Sequence, residues 1–146
     1  MKKSDIISFI DAQHILMLTT MNGEQPETRA LINLCHKDIA PHLVTYFKNN
    51  DRILFTTNTD SDKIPQIRNN KTANIYAYDN NYNGLLLTGE IKEITDPTTL
   101  NTLWDDSWKI YYPDGRDGGD FSVLEFVPRQ FKSYNGNGFV KSKGMF

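Results

Sequence analysis

Residues 15–35 read ILMLTTMNGEQPETRALINLC, and they carry the clearest structural signal in the chain. Residues 15–21 are mostly apolar or β-branched, which is typical of a strand, and residues 27–35 form a second such segment. Between them, Asn22-Gly23 is a two-residue hairpin signal, because both positions tolerate a positive φ. This stretch predicts two antiparallel strands joined by a tight turn, with Arg29 in the middle of the second strand.

The rest of the chain adds short strands more often than helices. Strands are predicted at residues 43–47, 53–57, 73–78, 85–94, 121–127 and 130–134, and short helices at residues 4–13, within 59–70, and from Asp96-Pro97 onward. About eight strands connected by hairpins indicate a mainly β fold, an antiparallel β-barrel with peripheral helices. In this interpretation residues 1–146 form a single domain whose tail, residues 135–146, is loosely ordered.

Composition narrows the classes of function. The 146 residues carry 16 Lys and Arg against 18 Asp and Glu, a net charge of −2 that does not suit a nucleic-acid-binding protein. The single cysteine, Cys35, cannot form an intrachain disulfide, which fits a reducing compartment. No apolar segment approaches the ~20 residues that cross a bilayer. We therefore expect a cytoplasmic protein whose partners include neither nucleic acid nor membrane.

Residues 56–63, TTNTDSDK, leave a predicted strand and enter a predicted helix. A lysine in a first helical turn is mildly disfavoured, because the helix N-terminus carries a partial positive charge. A bound anion would reverse this effect, since the hydroxyls of Thr56, Thr57 and Ser61, the free N–H groups and the Lys63 ammonium could converge on it. The alternative is a capped helix with Lys63 in solvent, and spacing alone leaves both interpretations open.

Arg29 presents a similar choice. It lies between apolar neighbours in the predicted strand, in the segment Thr28-Arg29-Ala30-Leu31. An arginine at such a position points either outward to solvent or inward to an anion.

The remaining reactive side chains indicate no metal site and no catalytic group. His14, His36 and His42 lack the spacing of a metal-binding motif. Cys35 and His36 are adjacent, so on a strand they would face opposite sides and could not act as a nucleophile–base pair. We expect no metal, and the catalytic residues are unknown.

Several short motifs become informative when their order along the chain is considered. They are Arg29-Ala30-Leu31, Leu54-Phe55-Thr56-Thr57-Asn58, Ser61-x-Lys63, Asn69-Asn70-Lys71-Thr72-Ala73, Thr88-Gly89-Glu90, Leu103-Trp104, Tyr111-Tyr112-Pro113-Asp114-Gly115 and Val123-Leu124-Glu125-Phe126-Val127-Pro128. Their order and spacing over residues 7–134 resemble the pyridoxamine 5′-phosphate oxidase-like family, and in particular its general stress protein branch.

The resemblance implies an FMN-binding split barrel of antiparallel Greek-key type, which dimerises with flavin sites at the subunit interface. FAD or a deazaflavin are the alternative cofactors. The resemblance implies that Arg29, Ser61 and Lys63 contact the FMN phosphate, and that Thr56 and Thr57 line the phosphate and ribityl chain. The backbone of Ala30 and Leu31 would approach the ring. Trp104 and Tyr112 would approach the flavin from the partner subunit. Trp104 and Trp108, four residues apart, would share one helical face and serve packing or flavin contact.

The departures from the family pattern bear on activity. The branch has Arg-Pro-Met where this chain has Arg29-Ala30-Leu31, and the tail lacks the arginine and histidine with which the true oxidases grip their phosphorylated substrate. The resemblance therefore implies a flavin-dependent oxidoreductase with an unknown small substrate and a relation to stress, and the departures count against vitamin B6 oxidation. The alternatives are a non-catalytic flavin-binding or sensing module and a barrel that binds another ligand.

Overall fold

The computed structural model describes residues 1–146. The α-helices are α1 (Lys3–Asp11), α2 (Tyr46–Asn50), α3 (Lys63–Asn69) and α4 (Pro97–Leu103), and there are 3₁₀ helices at Pro41–Leu43 and Asp106–Ile110. The strands are β1 (Ile15–Asn22), β2 (Gln25–Ile32), β3 (Ile53–Asn58), β4 (Thr72–Tyr78), β5 (Gly84–Ile94), β6 (Phe121–Tyr134) and β7 (Val140–Met145). None of the helices combines the length and the apolar character that crossing a membrane requires.

The hairpin predicted from residues 15–35 is confirmed, with its two-residue turn at Gly23-Glu24, one residue later than the predicted Asn22-Gly23. β1 and β2 pair antiparallel from Ile15 opposite Ile32 to Asn22 opposite Gln25. Gly23 in the turn has a φ of 62°, the left-handed conformation that glycine adopts without steric cost.

The strands form one antiparallel sheet in the order β2-β1-β4-β5-β6-β3, with β7 added beside β6. The strands curl around a common core, since Leu18 of β1, Phe55 of β3, Ile75 of β4 and Phe126 of β6 belong to one buried cluster. β2 and β3 lie at the two ends of the sheet and do not pair with each other. The barrel is therefore split between these strands, as the predicted fold class requires.

A second buried cluster lies on the other face of β3, under α4. Its members are Leu34, Ala40, Leu43, Leu54, Leu103, Tyr112, Phe121 and Val123. Alternation along β3 explains the two clusters, because Phe55 points into the barrel and Leu54 points toward α4.

The prediction of a strand at residues 43–47 is wrong. Leu43 ends a 3₁₀ helix, and Phe47 lies in α2, from which its fully buried ring enters the barrel core. A short apolar run does not distinguish a strand from a buried helix segment, and here the run is buried from helical turns. The two strands predicted at residues 121–134 are one strand, β6, whose register with β5 shifts between Thr88 and Gly89.

The prediction of a loosely ordered tail at residues 135–146 is also wrong. β7 pairs antiparallel with β6, from Tyr134 opposite Val140 to Gln130 opposite Met145. Beyond β7, the Phe146 ring stacks on Phe47 with 6.0 Å between centroids. Backbone pairing orders this segment while most of its side chains stay exposed, so its polar composition resembles that of a loop.

Candidate functional site

Arg29 points into the barrel and is held there by neutral partners. It lies directly opposite Leu18, whose side chain is in the core, so both face the same side of the sheet. Its Nη1 donates to Thr20 Oγ1 at 2.6 Å and to the Glu27 carbonyl oxygen at 2.9 Å, and its Nη2 donates to Gln66 Oε1 at 3.2 Å. The inward orientation, one of the two that the sequence left open, is the one observed.

Gln66 organises the surroundings of Arg29, and the sequence did not single it out. This buried side chain of α3 accepts a hydrogen bond from Thr20 Oγ1 at 2.6 Å and donates to Glu27 Oε2 at 2.9 Å. The bond from Gln66 is the main cause that lowers the pKa of the Glu27 carboxyl. The only sequence signal was an amide between two isoleucines that face the core, Ile64 and Ile67.

Ser61 and Lys63 lie at the start of α3. Ser61 Oγ accepts the backbone N–H of Lys63 at 3.3 Å, so the serine hydroxyl bonds the first helical residue. The Lys63 ammonium is half-buried and makes neither a hydrogen bond nor an ion pair. Burial is the main cause that lowers the pKa of Lys63, and the positive charge of Arg29 lowers it further, against the opposing effect of Asp62.

The positive charge of Arg29 has two acidic neighbours, whereas that of Lys63 has no ion pair. The nearest carboxylates to Arg29 are those of Glu27 at 3.8 Å and Asp62 at 3.7 Å, both beyond hydrogen-bonding distance. α3 has only seven residues, so the side chains, rather than a long helix dipole, supply the positive potential. We refer to Arg29, Ser61 and Lys63 together as the cationic cradle. Their two positive charges and one hydroxyl suit a compact anion such as a phosphate group.

An apolar groove of about 580 Å³ lies where the barrel is split. Most of its lining side chains are apolar or aromatic, and none is charged: Ala30, Leu31, Ile32, Leu34, Ile39, Thr56, Asn58, Ser107, Trp108, Ile110, Tyr111 and Tyr112. The sequence predicted four of these as cofactor-binding residues, namely Ala30, Leu31, Thr56 and Tyr112. The groove has the size and the character of a site for a planar organic ring.

Thr56 and Thr57 point to opposite sides of β3. Thr56 lines the groove beside Tyr112, whereas Thr57 is buried on the same face as Phe55, toward the barrel interior. Burial raises the pKa of the Tyr112 phenol, and the neighbouring Thr56 side chain acts in the opposite direction. Only Thr56 is therefore placed to meet a ligand in the groove.

Trp104 packs behind the groove instead of lining it. Its ring meets Phe121 edge-on at 4.9 Å, and its Nε1 donates to Asp106 Oδ1 at 2.9 Å. Trp108 lies 6.0 Å from it but belongs to the following 3₁₀ helix, so the predicted shared helical face is wrong. The chain leaves α4 at Trp104, because Asp105 caps the next turn by accepting the Ser107 N–H at 2.9 Å.

Together, the fold and the site define a split-barrel protein with a cationic cradle beside an apolar groove. A family model described as pyridoxamine 5′-phosphate oxidase matches residues 4–135. The chain belongs to the pyridoxamine 5′-phosphate oxidase family. It matches no curated protein.

Solved structures share the fold. A Clostridium acetobutylicum protein related to general stress protein 26 is 23% identical, with a TM-score of 0.72 over 98% of this chain and 92% of its own. General stress protein 26 from Bacillus anthracis is 17% identical, with a TM-score of 0.68 over 94% of this chain and 95% of its own. A pyridoxamine 5′-phosphate oxidase-related, FMN-binding protein from Nostoc punctiforme is 18% identical, with a TM-score of 0.60 over 90% of this chain and 79% of its own.

Proposed function

We propose that this protein binds FMN, with the phosphate in the cationic cradle and the isoalloxazine ring in the apolar groove. The observation that carries the proposal is the half-buried Lys63 ammonium, which has no partner of its own and lies in the field of Arg29. Such an arrangement is unfavourable until an anion arrives, and a phosphate dianion would satisfy both charges. The FMN-binding name of the Nostoc punctiforme protein supports the same cofactor.

The positions of the cradle and the groove suit one continuous ligand. Asn58 lines the groove, and its carbonyl oxygen accepts the backbone N–H of Ser61 at 3.0 Å. The end of β3 thus leads from ring site to phosphate site within three residues, with Thr56 placed beside the intervening ribityl chain. FAD carries an adenosine monophosphate group beyond this phosphate, so comparing it with FMN tests where the ligand must end.

A fluorescence titration tests the proposal. Flavin fluorescence is followed as purified protein is added to FMN, to riboflavin, which lacks the phosphate, and to FAD. We expect quenching and tight binding for FMN and much weaker binding for riboflavin. Unchanged FMN fluorescence at high protein concentration would reject flavin binding, and equal affinity for riboflavin would reject the role of the cradle.

We further propose that a second copy of the chain covers the groove. Three apolar side chains around it are largely exposed: Ile32 at 53%, Ile110 at 77% and Tyr111 at 66%. A contiguous exposed apolar surface of this kind is typical of an interface. Light scattering should show a homodimer for the wild type, and Ile110→Lys should shift it toward monomer. Tyr82→Lys is the matched control, because Tyr82 is 75% exposed but lies in the turn between β4 and β5. This control change should leave the dimer intact. A monomeric wild type would reject this arrangement.

The chemistry we propose is that of a flavin-dependent oxidoreductase acting on a small substrate in the cytoplasm. When bound, the flavin would supply hydride or electron transfer. The chain would hold the phosphate, orient the ring against β2 and exclude water with its aromatic side chains. The buried, unpaired Cys35 thiol is consistent with the reducing cytoplasm.

One observation favours a second candidate, a flavin-binding or sensing module without turnover. The groove lining holds no carboxylate, histidine or lysine, and its only ionisable groups are the phenols of Tyr111 and Tyr112. A proton-transfer step would therefore depend on the flavin, the substrate or a phenol whose pKa is raised. Anaerobic mixing of the flavin-loaded protein with NADH and NADPH separates the candidates: bleaching of the flavin band supports the oxidoreductase, and its persistence with both donors supports the module.

A further inference from the structure

Two histidines that are distant in sequence meet beside the barrel. The rings of His14, before β1, and His36, after β2, stack with 3.9 Å between centroids and 29° between planes. Asp38 lies next to them, and its backbone N–H donates to His36 Nδ1 at 3.0 Å. One potential metal-ligating atom from each of the three side chains lies within 4.8 Å of the other two.

A buried asparagine holds the two histidine segments in place. Asn33 Nδ2 donates to the carbonyl oxygens of Ile10 at 2.8 Å and Gln13 at 2.7 Å. The backbone N–H of Asn33 donates to the carbonyl oxygen of His14 at 2.9 Å. On the other side, Asn33 Oδ1 accepts the N–H of Cys35 at 3.0 Å. The juxtaposition of His14 and His36 is thus built into the fold and does not depend on the two rings alone.

We propose that His14, His36 and Asp38 form a binding site for a divalent transition metal ion, with Zn²⁺ the best match. Two imidazoles and one carboxylate are ligands that zinc takes, with water in the remaining position. Bonds of about 2.0–2.1 Å place tetrahedral ligands roughly 3.3–3.5 Å apart, so separations of up to 4.8 Å must close by up to about 1.5 Å. The His14 ring must also turn out of the stack, because an imidazole nitrogen binds metal in the plane of its ring. His14 and Asp38 are exposed and free to move, whereas His36 is buried and supplies the fixed ligand.

The closure has a local chemical consequence at His36. In the metal-free protein the hydrogen bond from Asp38 leaves the ring proton on Nε2. Metal binding at Nε2 would move that proton to Nδ1, which could then no longer accept the hydrogen bond from the Asp38 N–H.

The charges around the cluster favour a cation. The Asp11 carboxylate is mostly buried, one of its oxygens has no hydrogen-bond partner, and Lys48 is 3.6 Å from the other. Burial raises the pKa of Asp11, and the charge of Lys48 is the main effect that opposes this shift. A metal ion at His36 would add a second compensating charge for Asp11.

Cys35 is excluded from the ligand set although it neighbours His36. Its side chain is buried in the barrel core and lies outside the group that His14, His36 and Asp38 form. The sequence showed no metal motif because the ligands come from two segments that only the β1–β2 pairing brings together.

Cobalt spectroscopy and calorimetry test the site on tag-free, chelator-treated protein without flavin. We expect one equivalent of Co²⁺ per chain with visible d–d absorption, displaced by Zn²⁺, and a higher Tm in the presence of Zn²⁺. His14→Gln and Asp38→Asn, both at exposed positions, should weaken binding by about tenfold or more. His42→Gln is the matched control, since His42 also lies beside a carboxylate, that of Asp105 at 3.8 Å.

Three results would overturn the site. They are the absence of stoichiometric binding by wild-type protein, binding that His14→Gln leaves intact, and equal loss of binding in His42→Gln. A sulfur-to-cobalt charge-transfer band in the near ultraviolet would show that Cys35 is a ligand and that the set proposed here is wrong. The readout is independent of flavin binding, so it stands or fails separately from the proposed cofactor site.

Discussion

Replacing Lys63 by methionine tests the cationic cradle most directly. The change removes the ammonium and keeps an unbranched side chain of similar length at the first residue of α3. Lys63 makes no ion pair within the protein, so no internal partner is left exposed by its loss. The free protein should be as stable as the wild type or more stable, because the change also removes the repulsion between Lys63 and Arg29.

The effect on FMN affinity can be bounded from the surroundings of Lys63. A hydrogen bond between charged groups contributes about 1.5–3 kcal/mol. A full Coulomb interaction at ~4 Å and an effective dielectric constant of ~20 would approach 4 kcal/mol, and solvent screens a half-buried group below that limit. A loss of about 1.5–3 kcal/mol corresponds to a Kd raised roughly 10- to 150-fold.

Fluorescence titrations of FMN and riboflavin on the same variants provide the measurement. Lys63→Met should weaken FMN binding by that factor and leave riboflavin binding almost unchanged, because riboflavin has no phosphate. Lys71→Met is the control, since Lys71 is an exposed lysine whose ion pair with Glu90 at 3.7 Å lies away from the cradle. An FMN affinity within twofold of wild type in Lys63→Met, or an equal loss for riboflavin, would refute the reasoning.

The lowered pKa of Lys63 gives the same site a characteristic pH dependence. The phosphate is a dianion above roughly pH 6, so the charge of the ligand no longer limits binding at neutral pH. As the pH rises through the lowered pKa, the free protein loses the Lys63 proton earlier than an ordinary lysine would. FMN affinity should therefore fall in the wild type at a lower pH than the pKa of an ordinary lysine predicts, and Lys63→Arg should not show this fall. Identical pH profiles for the two would contradict the assignment.

Three further expectations concern the framework of the site. Gln66→Leu should cost about 1–3 kcal/mol in urea unfolding and weaken FMN binding, because Thr20 and Arg29 each lose a partner; an unchanged unfolding midpoint would argue against the network. Phe146→Ala should cost about 1–2 kcal/mol, less than for a fully buried ring, and a Tm equal to that of wild type would show that the tail is not docked. Cys35, with its pKa raised to about 12, should resist thiol reagents at mildly alkaline pH until the protein unfolds; labelling at equal rates in native and unfolded protein would contradict its burial.

Local signals accounted for the predictions that were confirmed. The Asn22-Gly23 signal and its flanking residues predicted the first hairpin, although the turn lies at Gly23-Glu24, because glycine favours a tight turn wherever its exact position falls. The predictions for residues 43–47 and 135–146 were wrong because the structure of these segments depends on contacts with distant parts of the chain. Phe47 is buried from a helix, and β7 is ordered by pairing with β6, and neither fact is visible in local composition.

The site divides in the same way. The order of the motifs along the chain indicated the family, and it named Arg29, Ser61 and Lys63 as phosphate ligands, a role that remains a prediction. It did not find Gln66, which is recognisable only through its contacts with Thr20, Arg29 and Glu27.

By itself, then, the sequence determined the antiparallel β architecture, the family and the candidate residues, because turn chemistry and motif order are encoded in neighbouring positions. Only the tertiary structure decided that Arg29 faces inward toward α3, that the apolar groove lies between β2 and β3, and that His14 meets His36. Each of these features joins segments that are separated along the chain. Such convergence depends on strand register and core packing, which no single stretch of sequence contains.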